Sequence, residues 1–275
     1  MMQQRHRAKK SFGQNFLVDN GVLERIVSCV DPADTDAILE VGPGQGALTR
    51  LLAQRAGRLL AIELDRDLLP ILDREFAGSP QVEVEHGDVL RVDLPKLLSG
   101  RHPGRWKVAA NLPYNISSQV LFRFLECVEL FERLVLMLQK EVGDRLVAQA
   151  GSKEYGALTV LLRLHFDIRR EFIVKPGSFR PIPKVDSAVL TFTPLPAPRV
   201  EVGDERVFRQ VVKGAFSQRR KTLFNALRAS AIVDDAVLQD ALASCGIDGG
   251  RRGETLSLDE FAALSLALQA GKNLA

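Results

Sequence analysis

The sequence predicts an α/β fold with a mainly parallel sheet, followed by a small all-α C-terminal domain. Three observations carry this. Short apolar runs alternate with helical patterns through five units between residues 37 and 138. A glycine-rich turn joins the first run to its helix, as at the start of a nucleotide-binding βαβ unit. Beyond the extended, proline-rich Pro194–Pro198 the strand patterns stop and amphipathic helices take over. The expected division is therefore residues 1–195 and residues 196–275.

In chain order, Gly13-Gln14-Asn15-Phe16-Leu17 is a polar-apolar patch ahead of the first helix, with Asn20 as its expected N-cap. Val22, Leu23, Ile26, Val27 and Val30 then recur at helical spacing. Residues 37–41 read as a short buried strand that runs into Gly42-Pro43-Gly44-Gln45-Gly46 and a helix bearing Leu48, Leu51 and Leu52. The next strand, 58–64, carries Glu63 near its end, about twenty residues past the glycines, where ribose hydroxyls would lie. A third strand, 82–85, leads to Gly87-Asp88, and a fourth, 106–110, leads to Asn111-Leu112-Pro113-Tyr114. A helix from about Ser118 precedes a fifth strand, 134–138. Helical stretches at 142–150 and 155–162 lead to a strand at 166–174, a proline-stiffened loop at 179–184 and a last alternating strand at 186–192, which together close the sheet with a hairpin-like pair. In the C-terminal part Val207, Val211 and Ala215, then Leu223 and Leu227, then Val237, Leu238 and Leu242 mark successive helices. Ser257-Leu258-Asp259-Glu260 is a capping box opening the last one.

With 46% hydrophobic and 26% charged residues the chain has ordinary globular composition. No apolar run reaches the roughly 18 residues of a membrane span, and the basic N-terminus lacks the apolar core of a secretory signal, so a cytoplasmic location is expected. Cys29, Cys127 and Cys245 are far apart, and His6, His86, His102 and His165 have no metal spacing; free thiols and no metal are expected. The net charge of +3 matters less than its clustering. Arg5, Arg7, Lys9 and Lys10 crowd the N-terminus, Arg219-Arg220-Lys221 fall inside a helical pattern, and Arg169, Arg170, Lys175, Arg180 and Lys184 flank the proline-rich turn. Each cluster alone reads equally as a solvated face; together they suit a polyanion.

Asn111-Leu112-Pro113-Tyr114 sits where an open α/β sheet places its ligands, at the carboxyl end of a strand. Without a nucleophile or a base it is a poor set for hydrolysis. An amide, a carbonyl before a proline kink and an aromatic face suit a flat heterocycle with an exocyclic amine. The same four residues are also common turn chemistry. Gly42-x-Gly44-x-x-Ala47 fits a dinucleotide fingerprint, so an NAD enzyme competes. Glu40 just before the loop, Asp88 as a second acceptor suited to an adenine amino group, and the stretch 111–117, which a hydride donor leaves unexplained, favour S-adenosylmethionine.

Gln14-Asn15-Phe16-Leu17, Glu40-Val-Gly-Pro-Gly-Gln-Gly46, Glu63, Gly87-Asp88, Asn111-Leu-Pro-Tyr-Asn-Ile-Ser117, Phe179-Arg-Pro-Ile-Pro-Lys-Val-Asp186 and Phe216-Ser-Gln-Arg-Arg-Lys221 occur in order. Together they resemble the ribosomal RNA adenine dimethyltransferases over nearly the whole chain. The first and last of these motifs resemble the branch acting on small-subunit RNA rather than the macrolide-resistance branch acting on large-subunit RNA. The resemblance implies a Rossmann-like class I methyltransferase, with a mainly parallel seven-stranded sheet that has an antiparallel edge strand. It implies transfer of methyl groups from S-adenosylmethionine to N6 of two adjacent adenines near the 3′ end of 16S rRNA. A monomer is expected only by default. In that reading Asn111 and the Leu112 carbonyl accept from the amine, Pro113 fixes the turn, and Tyr114 stacks on the flipped base opposite Phe179. Asn15 and Leu17 cover the cofactor, Gly42 and Gly44 let the backbone approach it, Glu63 takes the ribose and Asp88 the adenine amine, with Asn111 alongside. Arg219, Arg220, Lys221, Arg180 and Lys184 position RNA phosphates. A non-catalytic RNA-binding assembly factor should show decay at Asn111 or the glycine loop. A small-molecule methyltransferase should lack the basic clusters, and a DNA adenine methyltransferase usually carries Asp in place of Asn111.

Overall fold

A computed structural model describes residue 9 and residues 13–272. Arg5, Arg7 and Lys10 of the N-terminal basic cluster lie outside the described residues. The chain divides into two compact units, residues 1–143 with 167–194, and residues 144–166 with 195–275. The expected boundary at 195 is thus only half of the division. Residues 144–166, expected with the sheet, group with the C-terminal helices, because two helices end to end give no change of composition where the chain crosses over.

The first unit is built on a sheet of seven strands in the order β4-β3-β2-β5-β6-β9-β7, comprising β2 (Ala37–Val41), β3 (Arg58–Glu63), β4 (Val82–His86), β5 (Trp106–Asn111), β6 (Phe131–Gln139), β7 (Phe166–Val174) and β9 (Ser187–Pro194). Separate from it, β1 (Phe16–Leu17) pairs antiparallel with β8 (Phe179–Arg180). Strands β2 to β6 pair in parallel, whereas β9 runs antiparallel to β6. All five residues of β2 are buried, the apolar run expected of a parallel strand covered on both faces. Helix α1 (Asn20–Val30) buries Leu23, Ile26, Val27 and Val30 in one core with Ile38, Leu52, Leu59 and Val135. Its N-cap is Asp19, which accepts from the Val22 amide at 3.2 Å, rather than Asn20, its first residue. The chain leaves β2 through α2 (Ala47–Leu52) for β3 on one side, then through α3 (Leu69–Phe76) and α4 (Leu94–Ser99), and only later returns to β5 on the other side of β2. That reversal opens a crevice beyond the carboxyl ends of β2 and β5.

The second unit is helical: α7 (Ala157–His165), α8 (Glu205–Phe216), α9 (Leu223–Ala229), α10 (Asp235–Ser244) and α11 (Leu258–Lys272), following α5 (Ser117–Leu125) and α6 (Lys140–Val147) in the chain. The expected capping box opens α11, with Ser257 N–H donating to Glu260 at 2.8 Å and the Glu260 amide donating to Ser257 Oγ at 3.1 Å. Tyr155, Phe216 and Phe261 meet ring to ring at its centre. Among the described residues no helix is long and apolar enough to cross a membrane, and no three His, Cys, Asp or Glu side chains cluster as a metal site would require.

Candidate active site

The crevice is floored by the ends of β2, β3 and β5 and lined by Asn15, Gly42, Gly44, Glu63, Asp88 and Asn111, together with the turn that follows Asn111. Gly42 and Gly44 sit at φ +71° and +58°, where a side chain is strained, and a Cβ on Gly44 would stand 2.9 Å from the Phe16 ring. At Gly42 a Cβ would meet nothing within 4 Å, so bare backbone faces open space.

Glu63 ends β3 with only 5% of its surface exposed. Its two carboxylate oxygens accept from the Gly44 amide at 3.1 Å and the Asp65 amide at 2.8 Å, which fixes the acid while leaving lone pairs to spare. Burial pushes its pKa above the ordinary 4.5, against the pull of those amides. Asp88 serves the local turn and the crevice at once. Its Oδ1 accepts from the Leu90 amide at 3.0 Å in a local turn, and the residue also lines the crevice. Ile62, Leu64 and Val89 supply apolar surface between these acids. A second hollow shares Phe16, Gly42, Gly44 and Asn111 with the first and contains Glu40, 2% exposed. Glu40 Oε2 has no hydrogen-bond partner among the described residues, and burial pushes its pKa up to about 8. Open glycine backbone, a held acid at ribose position and a further acid beside an apolar slot fit an adenosyl group, and Glu40 in the adjoining hollow fits an ammonium.

On the opposite side, the Asn111 Nδ2 donates to the Asn15 carbonyl at 3.1 Å, so the amide oxygen is the atom left for a ligand. Leu112 is held by its own amide, which donates to the Met137 carbonyl at 3.1 Å, and the Pro113 carbonyl closes the turn by accepting from Ile116. Tyr114 is partly buried in the lining, with its hydroxyl 2.8 Å from Ser187 Oγ.

Asn15, Gly42, Gly44, Glu63, Asp88, Asn111, Leu112, Pro113 and Tyr114 are therefore brought together. Leu17 lines only the adjoining hollow that contains Glu40, and Phe179 lines neither. They are Cα partners in the β1–β8 pair, 7% and 1% exposed, and both belong to the core of the first unit. Phe179 presents no face on which a base could stack. Alternation along the two-residue strand turns Phe16 towards the crevice, while Leu17, largely buried, reaches only the adjoining hollow. Arg219, Arg220 and Lys221 are exposed, in the turn between α8 and α9 rather than within a helix, because Thr222 caps a new helix directly after them. Arg180 and Lys184 are exposed in the first unit. Sequence reasoning missed Asp65, which is buried and joins the N-terminal segment to this side. Its carboxylate receives Lys9 Nζ at 2.5 Å and Gln14 Nε2 at 2.9 Å, while its amide holds Glu63. An acid two residues after Glu63 was the available signal.

The sequence model of the family described as Ribosomal RNA adenine dimethylase matches residues 5–269. The chain is 62% identical to the Ribosomal RNA small subunit methyltransferase A of Geobacter metallireducens, with 96% of each chain covered. To the protein of the same name from Syntrophotalea carbinolica it is 50% identical, over 96% of this chain and 98% of that one. Among solved structures it resembles a dimethyladenosine transferase from Plasmodium falciparum, with a TM-score of 0.80 and 25% identity over 94% of this chain and 98% of that one. It also resembles the 23S rRNA methyltransferase ErmE, with a TM-score of 0.70 and 26% identity over 93% and 100%. With a near full-length match to the family model and to its named relatives, the chain belongs to the ribosomal RNA adenine dimethylase family.

Proposed function

We propose that this protein transfers methyl groups to N6 of two adjacent adenines near the 3′ end of small-subunit (16S) rRNA, acting in the cytoplasm as a monomer. The observation that carries the chemistry is the Asn15–Asn111 hydrogen bond, which leaves an amide oxygen facing the crevice beside Leu112 and Tyr114. Bound S-adenosylmethionine supplies a methyl group on a sulfonium, a leaving group that needs no acid. Glu63 takes the ribose, Asp88 the adenine amine and Glu40 the ammonium of that donor. The small-subunit assignment is supported by identities of 62% and 50% to relatives named for that subunit, against 26% to the large-subunit enzyme.

Adenine N6 is a weak nucleophile because its lone pair is delocalised into the ring. Accepting its N–H hydrogens at Asn111 Oδ1 and the Leu112 carbonyl favours a tetrahedral nitrogen, whose lone pair is then free for in-line attack. Pro113 holds the carbonyl in place, and Tyr114 stacks on the extruded base, a contact worth about 1–3 kcal/mol. The cationic product amine gives its proton to solvent, so no base is required. After one transfer a single N–H remains, and the second attack proceeds with one of the two acceptors idle. Alignment of two reactants, which can supply roughly 7–11 kcal/mol, carries most of the rate.

The test is to incubate the protein with labelled donor and small ribosomal subunits lacking the modification, and then map the label. Label on two adjacent adenines near the RNA 3′ end is the expected result; label confined to large-subunit RNA, or none, overturns the reading.

A further inference from the structure

The loop between β8 and β9 carries side chains that the chemistry above leaves unused. Ile182 and Val185 are 62% and 44% exposed, among the most exposed large hydrophobic side chains of the described residues. Arg180 and Lys184 beside them are exposed too. Residues 180–185 contain no acid, and the next carboxylate, Asp186, is occupied by Lys175 Nζ at 2.7 Å. Pro181 and Pro183 restrict the backbone on either side of Ile182.

Both ends of this loop are fastened to the crevice. Arg180 is the Cα partner of Phe16, which lines it, and Ser187 bonds the Tyr114 hydroxyl at the other end. Two aliphatic side chains thus stand in water on a stiffened, cationic loop anchored to the rim. Packing within the first unit does not explain their exposure.

We propose that Ile182 and Val185 form an apolar wedge that fills the gap left in the RNA when the target adenine is drawn into the crevice, while Arg180 and Lys184 hold the flanking phosphates. The inference rests on the RNA-methylating reading above. Extruding a base loses its stacking on both neighbours, and an apolar side chain pushed into the vacated step offsets part of that loss while covering its own exposed surface. Cations without a neighbouring free acid complement the backbone on each side of that step. The occupant is therefore the RNA flanking the methylated nucleotide.

The test uses the full chain carrying Ile182→Ser and Val185→Ser together, and small subunits with 2-aminopurine in place of one target adenine. Wild-type protein should raise the probe's emission by unstacking it, and the double variant should give a rise at least about fivefold smaller. On unsubstituted subunits turnover should fall about tenfold or more, with the donor KM and the melting temperature unchanged. Ile182→Leu with Val185→Ile should restore both signals, which a lost polar or backbone contact would not do. A double variant with full emission and full turnover overturns the wedge while leaving the methylation reading intact. A wild-type protein that places no methyl on RNA removes that reading, and the wedge with it.

Discussion

On the donor side of the crevice Glu40 and Glu63 are almost wholly buried acids, whereas on the acceptor side Asn111 and Tyr114 are partly buried and neutral. The donor side is made from strand ends, positive-φ glycines and amides that clamp a carboxylate. The acceptor side joins the last residue of β5, whose amide is oriented by a carbonyl from the N-terminal segment, to the turn that follows it. The contrast follows the reactants. A cationic donor repays buried negative charge, while a neutral amine needs acceptors that pull on its hydrogens without competing for the methyl group.

The largest effect should come from the acceptor side. Asn111→Ala should lower single-turnover methylation on the order of a hundredfold, as loss of one oriented polar group at a reacting atom does, with donor affinity by calorimetry changed far less. Equal turnover in variant and wild type would remove Asn111 from the chemistry. On the donor side the split should reverse. Glu63→Ala should weaken donor binding about tenfold or more, since a charge-assisted hydrogen bond is worth about 1.5–3 kcal/mol, while turnover at saturating donor largely survives. Because burial raises the Glu63 pKa, its ionised, accepting form is lost as pH falls while the pH is still above 4.5. The donor dissociation constant should therefore climb on the acid side in wild type and climb less in Glu63→Ala, where Glu40 still titrates in the donor site.

Smaller effects sharpen the same contrast. Tyr114→Phe keeps the ring and removes only the Ser187 contact, so the RNA KM should rise by an amount equivalent to about 0.5–1.5 kcal/mol. Glu40→Gln should stabilise the ligand-free protein. Glu40 has a folded pKa of about 8 against an ordinary 4.5, so folding is penalised as pH rises through that interval and most of all above it. Removing the charge should raise the melting temperature at pH 8 by about 2–4 °C for each kcal/mol recovered, with no gain at pH 4. Identical melting curves at both pH values would mean that Glu40 is solvated.

Much of this crevice could be read from local patterns. The five-residue run 37–41, the glycines after it, Glu63 about twenty residues on and the polar turn after β5 are all signals within a few residues of the atoms they position. What escaped was non-local. The pairing of Phe16 and Leu17 with residues 179 and 180 joins segments far apart in the chain, and one step of strand parity decides that Phe16 lines the crevice while Leu17 packs in the core and edges only the adjoining hollow. Phe179 carried an aromatic face suited to stacking, and only its burial in the core that also holds Ile26, Val27 and Val189 turns it inward. The helical reading of Arg219–Lys221 failed because two helices with compatible periodicity meet there without proline or glycine between them.

The bond from Asn111 Nδ2 to the Asn15 carbonyl also limits how this site can be re-engineered. An aspartate at 111 would set two oxygens against one another across 3.1 Å, a repulsion relieved only by moving the segment that carries Asn15 or by keeping the acid protonated. Conversion to the acidic acceptor usual in DNA adenine methyltransferases would therefore take compensating changes near the start of the chain.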